Sequence, residues 1–219
     1  MDELSSREKL AYLISSRLGS RTRKKIFVEK LKPAAVLIPV SFIEERPQII
    51  LTKRSMNVQH HKGEISFPGG HAESDDASPV ETALREAEEE IGIRSGDVDI
   101  LGLLDDYITI SGFHITPAVG IVPWPYELKI NSESETLLFL PLADVLSDDA
   151  WMMEKASIKG HEFELFCLET EDGVIWGATA KMLRQFAEVL LEREPATKPV
   201  TETARKWILS VIASQEAYR

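Results

Sequence analysis

The chain has 219 residues, 43% of them hydrophobic, and a formal charge of −11. That is apolar material for one sizeable core with terminal additions, and no Pro/Gly/Ser-rich linker divides the middle into two domains. No apolar run reaches the ~18 residues of a membrane span. The start "MDELSSREKLAYL" lacks the apolar centre of a secretory signal, and the acidic balance repels nucleic acid and anionic membranes outside local basic patches.

Residues 3–18 place Leu4, Leu10, Leu13, Ile14 and Leu18 at helical spacing. "RTRKKIFVEKLK" (21–32) is a basic patch, but aliphatic rather than interleaved aromatic neighbours argue against a nucleic-acid surface. "PAAVLIPVSFI" (33–43) and "QIILTKRS" (48–55) predict two strands turned by "EERP". "HHKGEISFPGGHAESDDAS" (60–78) predicts a loop with a short extended piece at "EISF". A helix then opens with Ser78 as N-cap, Pro79 at its first position and Glu81 completing a capping box, and it stops at Gly92. "VDILGLLDDYITI" and "FHITPAVGIVP" predict a strand pair around "SGFH", and "ETLLFLPL" another strand, leading into a short helix at 142–147. "HEFELFCLE" and "GVIWGA" predict a hairpin around "TEDG", followed by helices at 179–192 and 200–217. The lone Cys167 cannot form an internal disulfide, reads as a packed strand residue, and fits a reducing, cytoplasmic setting. Strands and helices mix without regular alternation, so the class is α/β of the α+β type, a mixed sheet covered by helices.

The helix 79–91 carries the informative conflict. At about 100° per residue, Val80, Ala83, Leu84, Ala87 and Ile91 share one apolar stripe. Glu86 and Glu90 lie above one another on one flank with Glu89 further round, while Glu81 and Glu88 lie on the opposite flank as solvated charge. Like charges at these spacings cost a few tenths of a kcal/mol per pair. The macrodipole disfavours them by a further ~0.3–1 kcal/mol each in the last turns. A well-capped helix burdened in this way points to a site. Upstream, "FPGG" (67–70) lets backbone approach a ligand and offers carbonyl oxygens. Carboxylate and carbonyl oxygens suit Mg²⁺ or Mn²⁺, and a divalent metal beside a glycine loop suits phosphoanhydride hydrolysis.

These residues resemble the Nudix hydrolases, whose signature is G-x5-E-x7-R-E-U-x-E-E-x-G-U. "REAEEEIGI" (85–93) fits the second half. The first half fits after one inserted residue, from Gly70 to Asp76 in the acidic position, with aspartate in place of glutamate. Upstream, "ILTKRSMNVQHHKGEISFPGG" (50–70) is similar to the coenzyme A pyrophosphatase motif L-L-T-x-R-[SA]-x3-R-x3-G-x3-F-P-G-G, with Thr52, Arg54, Ser55, Gly63 and FPGG in register. Gln59 stands where that motif has arginine, a change that loses a phosphate fork. "ESETLLFLPL" and "WGATAKML" also resemble this branch.

The resemblance covers about 33–190 and implies the Nudix α/β/α sandwich with a mixed β-sheet between helices. It divides the chain into an N-terminal helix and basic linker (1–32), a Nudix domain (33–194) and a C-terminal helix (195–219). It implies hydrolysis of a nucleoside diphosphate linked to another group, which for coenzyme A releases 3′,5′-ADP and 4′-phosphopantetheine. ADP-ribose, NADH or a nucleotide sugar is the alternative substrate, and a non-catalytic sensing module is the reading from another class. The implied metal ligands are Glu86 and Glu90 with Glu89 and the Gly70 carbonyl. Glu89 is also a candidate to orient the attacking water, Arg85 to hold a catalytic glutamate, and Glu133, with Glu135 beside it, to act as base. Arg54, Gly69 and Gly70 are the implied substrate contacts. Trp176 and Phe113 are candidates both for stacking on a base and for the core, and His60, His61, His71 and His114 show no ligand spacing. The expected partner is a small nucleotide diphosphate, with no nucleic acid and no membrane. Residues 1–32 and 195–219 are candidate contacts of a homodimer.

Overall fold

The unbroken apolar run "AAVLIPV" rules out a half-solvated strand, and β1 (Lys32–Ile43) is buried on both faces. The computed structural model describes residues 7–56, 62–109, 111–158 and 161–216, apart from the side chains at 156–158, 161, 163 and 212–216. Gln59, His60 and His61 lie outside the described residues, as does Leu4. β1 runs parallel to β7 (Phe113–Val122) and antiparallel to β2 (Arg46–Arg54) and β4 (Gly69–His71). β3 (Ile65–Ser66) and β8 (Ser134–Pro141) pair with β2, and β5 (Asp99–Leu103) and β6 (Tyr107–Ile108) with β7. Among the described residues this makes one mixed eight-stranded sheet.

Alternation along β1 assigns its two faces. Ala35 and Leu37, with Ala118 of β7, meet Ala83 and Ala87 of α2 (Pro79–Ile91). These mostly alanine side chains let the helix sit close to the strands. On the other face Val36, Ile38, Val40, Val119 and Ile121 form one cluster with Leu10, Ile14 and Leu18 of α1 (Arg7–Gly19). The same cluster takes in Leu142 and Val145 of α3 (Leu142–Val145) and Leu183, Phe186 and Leu190 of α4 (Gly177–Leu191). Helices therefore cover both faces of a mixed sheet, the architecture expected from the sequence.

A second sheet extends that expectation. β9 (Trp151–Ile158), β10 (His161–Thr170), β11 (Gly173–Trp176) and β12 (Lys198–Pro199) lie in the order β11-β10-β9-β12. Its outer side is closed by α5 (Glu202–Glu216), where Ala204 and Ile208 pack with Met152, Cys167, Val174 and Val200. Burial pushes the Cys167 thiol up to about 11, so it stays a protonated core residue. Trp176 packs against this same cluster. Strand β9 is not legible in "WMMEKASI", where Met, Lys, Glu and Ala are good helix formers. It is a strand because β10 supplies its hydrogen-bond partners along its length.

The β1–β2 hairpin turns on two residues, with Ile43 opposite Arg46 and with Glu44 (φ 50) and Glu45 (φ 60) both left-handed. Left-handed backbone costs a residue with a Cβ roughly 1 kcal/mol or more, and Asn-Gly suits such a turn. Replacing Glu44-Glu45 with Asn-Gly is expected to stabilise the protein by about 1 kcal/mol, read as a higher urea midpoint with an unchanged slope.

Candidate active site

Helix α2 is fixed at both ends by its own sequence. Ser78 accepts from the Glu81 N–H at 3.3 Å. The reciprocal bond of the capping box is displaced by one residue, because Glu81 Oε2 accepts from the N–H of Ala77 at 2.9 Å rather than from that of Ser78. Gly92 closes the helix at φ 74, its N–H donating to Glu88 O. The last carbonyls are met from outside: Lys129 N–H donates to Ile91 O at 3.1 Å and Asn131 N–H to Glu90 O at 3.0 Å. These two bonds draw the segment before β8 across the helix end and bring Glu133 to the site.

The two glycines of FPGG form strand β4 rather than an open loop. A Cβ on Gly69 would fall 2.5 Å from Ala35 O, and one on Gly70 would fall 2.4 Å from Glu86 Oε1. Backbone contact with β1 requires glycine at Gly69, whereas a side chain at Gly70 would displace the Glu86 carboxylate. The Gly69 N–H donates to Glu90 Oε2 at 3.2 Å. Glu90 is only 8% exposed, so it belongs to the buried face of α2 and not to a flank outside the apolar stripe. Thr82 is buried with it, while Val80 and Leu84 of the expected stripe are half-buried. The reason is β4, which covers the flank that a helix wheel leaves open. Desolvation pushes Glu90 up to about 7, against the Gly69 N–H and Arg54, which favour its charged form. Glu86 is also raised, first by burial, with Arg85 opposing.

Two arginines organise these carboxylates. Arg85 forks onto Asp76, Nε to Oδ1 at 3.1 Å and Nη2 to Oδ2 at 3.0 Å, and Nη2 also donates to His71 O at 2.7 Å. Its Nη1 reaches Glu86 at 3.1 Å and Glu89 at 3.4 Å. Asp76, which stands in the acidic position before the one-residue insertion, is therefore the anchor of Arg85, and its carboxyl is held at about 2, chiefly by the guanidinium. Arg54 lies between Glu133, 3.1 Å away, and Glu90, 4.0 Å away. Glu133 is exposed, and its backbone carbonyl accepts from Ser55 N–H at 2.7 Å. Glu89 is exposed as well, whereas Glu88 turns away to hold Ser95. The structure thus gathers Arg54, Gly69, Gly70, Arg85, Glu86, Glu89, Glu90 and Glu133 in one place. It leaves Phe113 half-buried beside the His71 ring, and His114 on Asp106.

As placed, no three carboxylate, imidazole or thiol side chains among the described residues converge on one point. Arg85 engages Glu86 and Glu89, and the Gly69 N–H engages Glu90. The residues nevertheless fit a hard divalent cation: the donors are all oxygen, and Gly70 leaves Glu86 the room a side chain would fill. The buried Glu90 carboxylate is also short of positive charge, as its raised proton affinity shows.

The Asp76–Arg85 fork has a pH signature. Because the folded Asp76 value, about 2, lies below its ordinary 3.8, the fork stabilises the fold above about pH 4 and its contribution is lost as pH falls toward 2. Asp76→Asn is expected to lower the melting temperature at pH 7, with the gap to wild type closing as pH approaches 2, as followed by circular dichroism.

Comparison with known proteins identifies the family. A family described as the NUDIX domain matches residues 31–161. A Yersinia pestis (strain Pestoides F) protein, described as uncharacterized Nudix hydrolase NudL, is 37% identical over 168 residues, covering 76% of this chain and 84% of its own. NudL of Yersinia pseudotuberculosis serotype O:1b (strain IP 31758) shows the same identity and coverage. The crystal structure of a NUDIX hydrolase from Nitrosomonas europaea aligns with a TM-score of 0.49 at 17% identity, over 80% of each chain. On the strength of the sequence matches the chain belongs to the Nudix hydrolases, which act on phosphoanhydride bonds and generally need divalent metal ions.

Proposed function

We propose that the protein hydrolyses the diphosphate of coenzyme A or its derivatives, giving 3′,5′-ADP and 4′-phosphopantetheine. One observation carries the reading: Arg54, from the upstream motif that resembles the coenzyme A branch, sits within 4.0 Å of Glu90 on the Nudix helix and 3.1 Å from Glu133. The two motifs meet in one site. Gln59 keeps a second substrate class in view, because glutamine cannot fork onto a phosphate as the arginine of that motif does. ADP-ribose, NADH and nucleotide sugars form that class.

Glu86, Glu90, Glu89 and the Gly70 carbonyl would hold Mg²⁺ or Mn²⁺, which supplies charge neutralisation for the diphosphate and acidifies bound water. The chain's own groups do the remaining work. Arg54 binds diphosphate oxygen in place of its present carboxylate partners. Arg85, locked by Asp76, keeps Glu86 and Glu89 in position. Glu133, exposed and tethered through Ser55, accepts the proton of the attacking water, and Glu89 orients that water. In-line attack at one phosphorus expels the other half of the substrate.

Incubation of the protein with coenzyme A and Mg²⁺ or Mn²⁺ is expected to release 3′,5′-ADP faster than equivalent products from ADP-ribose, NADH or nucleotide sugars. No product from coenzyme A under either metal overturns the proposal, and a faster rival substrate reassigns it. Glu89→Gln and Glu90→Gln are each expected to reduce kcat by about 10² or more. Glu90→Gln carries an opposite effect on stability. Its folded value near 7 lies above the ordinary 4.5, so the buried charge weakens the metal-free fold increasingly as pH rises from about 4.5 to 7 and fully above it. The metal-free variant is therefore expected to melt higher than wild type at pH 8, by on the order of 2 kcal/mol, and to lose that advantage near pH 4.

A further inference from the structure

The basic segment 21–32 is built into the fold with unusual care. Arg21 pairs with Asp105 and Arg23 with Asp106, whose side chain is 3% exposed. Arg23 Nε donates to Leu104 O at 2.8 Å and its Nη2 to Thr116 Oγ1 at 3.1 Å. The N–H of Lys24 donates to Asp105 at 2.9 Å, the N–H of Ile26 to Asp106 at 2.8 Å, and the N–H of Asp106 to Lys24 O at 3.0 Å. At the far end, Leu31 N–H donates to Val28 O and Lys32 N–H to Gly112 O. Both feet are therefore tied down, and what they hold up is a turn whose apex faces water. Phe27 is 88% exposed, more than any other large hydrophobic side chain among the described residues, and Val28 beside it is 45% exposed. Lys24, Lys25 and Lys30 of the same segment are exposed, with Glu29 as its only acid, while Lys32 at the foot lies 5.8 Å over the Phe113 ring.

A strap anchored by this many bonds, yet spending none of them on covering its aromatic tip, is a presented surface. The two arginines are neutralised by Asp105 and Asp106, so the charge displayed to a partner is that of the lysines. A second copy of the chain is a poor occupant, because two apolar side chains on a convex turn fall far short of the roughly 800 Å² per partner that a stable interface buries. Nucleic acid is also disfavoured: the arginine forks are engaged, lysine is a point charge, and valine has no ring face to stack. A bilayer surface demands no shape complementarity. It accepts a ring and a branched aliphatic at the headgroup level and draws lysines to anionic lipid.

We propose that residues 24–32 are a peripheral docking tip for anionic membrane surfaces. This is surface contact and not a span; no helix of the described residues is long and apolar enough to cross a membrane. It revises the expectation that membranes play no part. The net charge of −11 opposes approach by acidic parts of the surface and favours approach by a basic one. The strap runs straight into β1, and Ala35, three residues beyond Lys32, is the register partner of Gly70. Docking therefore holds the catalytic strands about 10 Å from the foot of the strap, whichever diphosphate is cleaved.

The test is co-sedimentation of the full-length protein with vesicles of phosphatidylcholine alone and with about one quarter phosphatidylserine. Binding is expected only to the anionic vesicles, weakening as salt rises. Phe27→Asp and the Lys24→Glu/Lys25→Glu double variant are each expected to weaken it by at least about tenfold. Hydrolysis in free solution and the far-ultraviolet circular dichroism spectrum are expected to be unchanged, since these side chains are exposed and outside the site. Absence of binding by the wild type, equal binding to neutral and anionic vesicles, or wild-type binding by Phe27→Asp overturns the proposal. Binding of a single-stranded oligonucleotide without vesicle binding also overturns it and reassigns the tip to nucleic acid.

Discussion

A carboxylate buried beneath a strand of glycines is the constraint around which this site is arranged. Glu90 is shut off from water by β4, receives a single backbone N–H from Gly69, and sits 4.0 Å from Arg54. A buried charge with so little compensation is costly, and a core built for stability alone would place an apolar residue there. The proposed role of this carboxylate as a metal ligand would account for the cost. The glycines follow from the same constraint, because a Cβ at Gly70 would overlap the neighbouring Glu86 carboxylate. So do the alanines of α2, which bring the helix close enough to β1 for β4 to cover its flank.

The arginines act on the same crowd of carboxylates from opposite sides. Arg85, tied to Asp76, holds the outer pair Glu86 and Glu89; Arg54, tied to Glu133, faces the inner Glu90. Glu86 and Glu89 each pair with Arg85, which offsets part of the cost of glutamates in last turns that the helix dipole disfavours. Arg54 is the less committed of the two, with Glu90 beyond hydrogen-bond distance and Glu133 exposed. It is the arginine that can exchange its carboxylate partners for a diphosphate.

Away from the site, the fold spends charge in other ways. Asp105 and Asp106 interrupt what reads as one long strand, "VDILGLLDDYITI", and use the break between β5 and β6 to bind the basic segment 21–26. The two arginines of the basic patch are neutralised by the fold, which leaves lysines of the same segment exposed beside Phe27 in the chain. In the second sheet, Arg184 is buried against Phe166, donates to Pro195 O at 2.8 Å and pairs with Glu188, so a charged side chain ties α4 to the segment leading into β12.

The sequence by itself determined the elements whose causes are local. The cap at Ser78, the stop at Gly92, the apolar run of β1 and the periodicity of α4 all rest on neighbours within a few residues. So does the glutamate pattern that marks the family. Tertiary structure alone decided what depends on elements distant in the chain. The sequence puts Asp76 in the acidic position of the motif, but its role as the anchor of Arg85 is set by the fork between them. Glu90 looked like a flank residue because a helix wheel knows nothing of β4. The FPGG glycines became a strand because β1 lies alongside them, and β9 is a strand because β10 pairs with it, against the helix preference of its own residues. Spacing along one helix is set by backbone geometry, whereas burial, charge compensation and strand pairing are set by what packs against it.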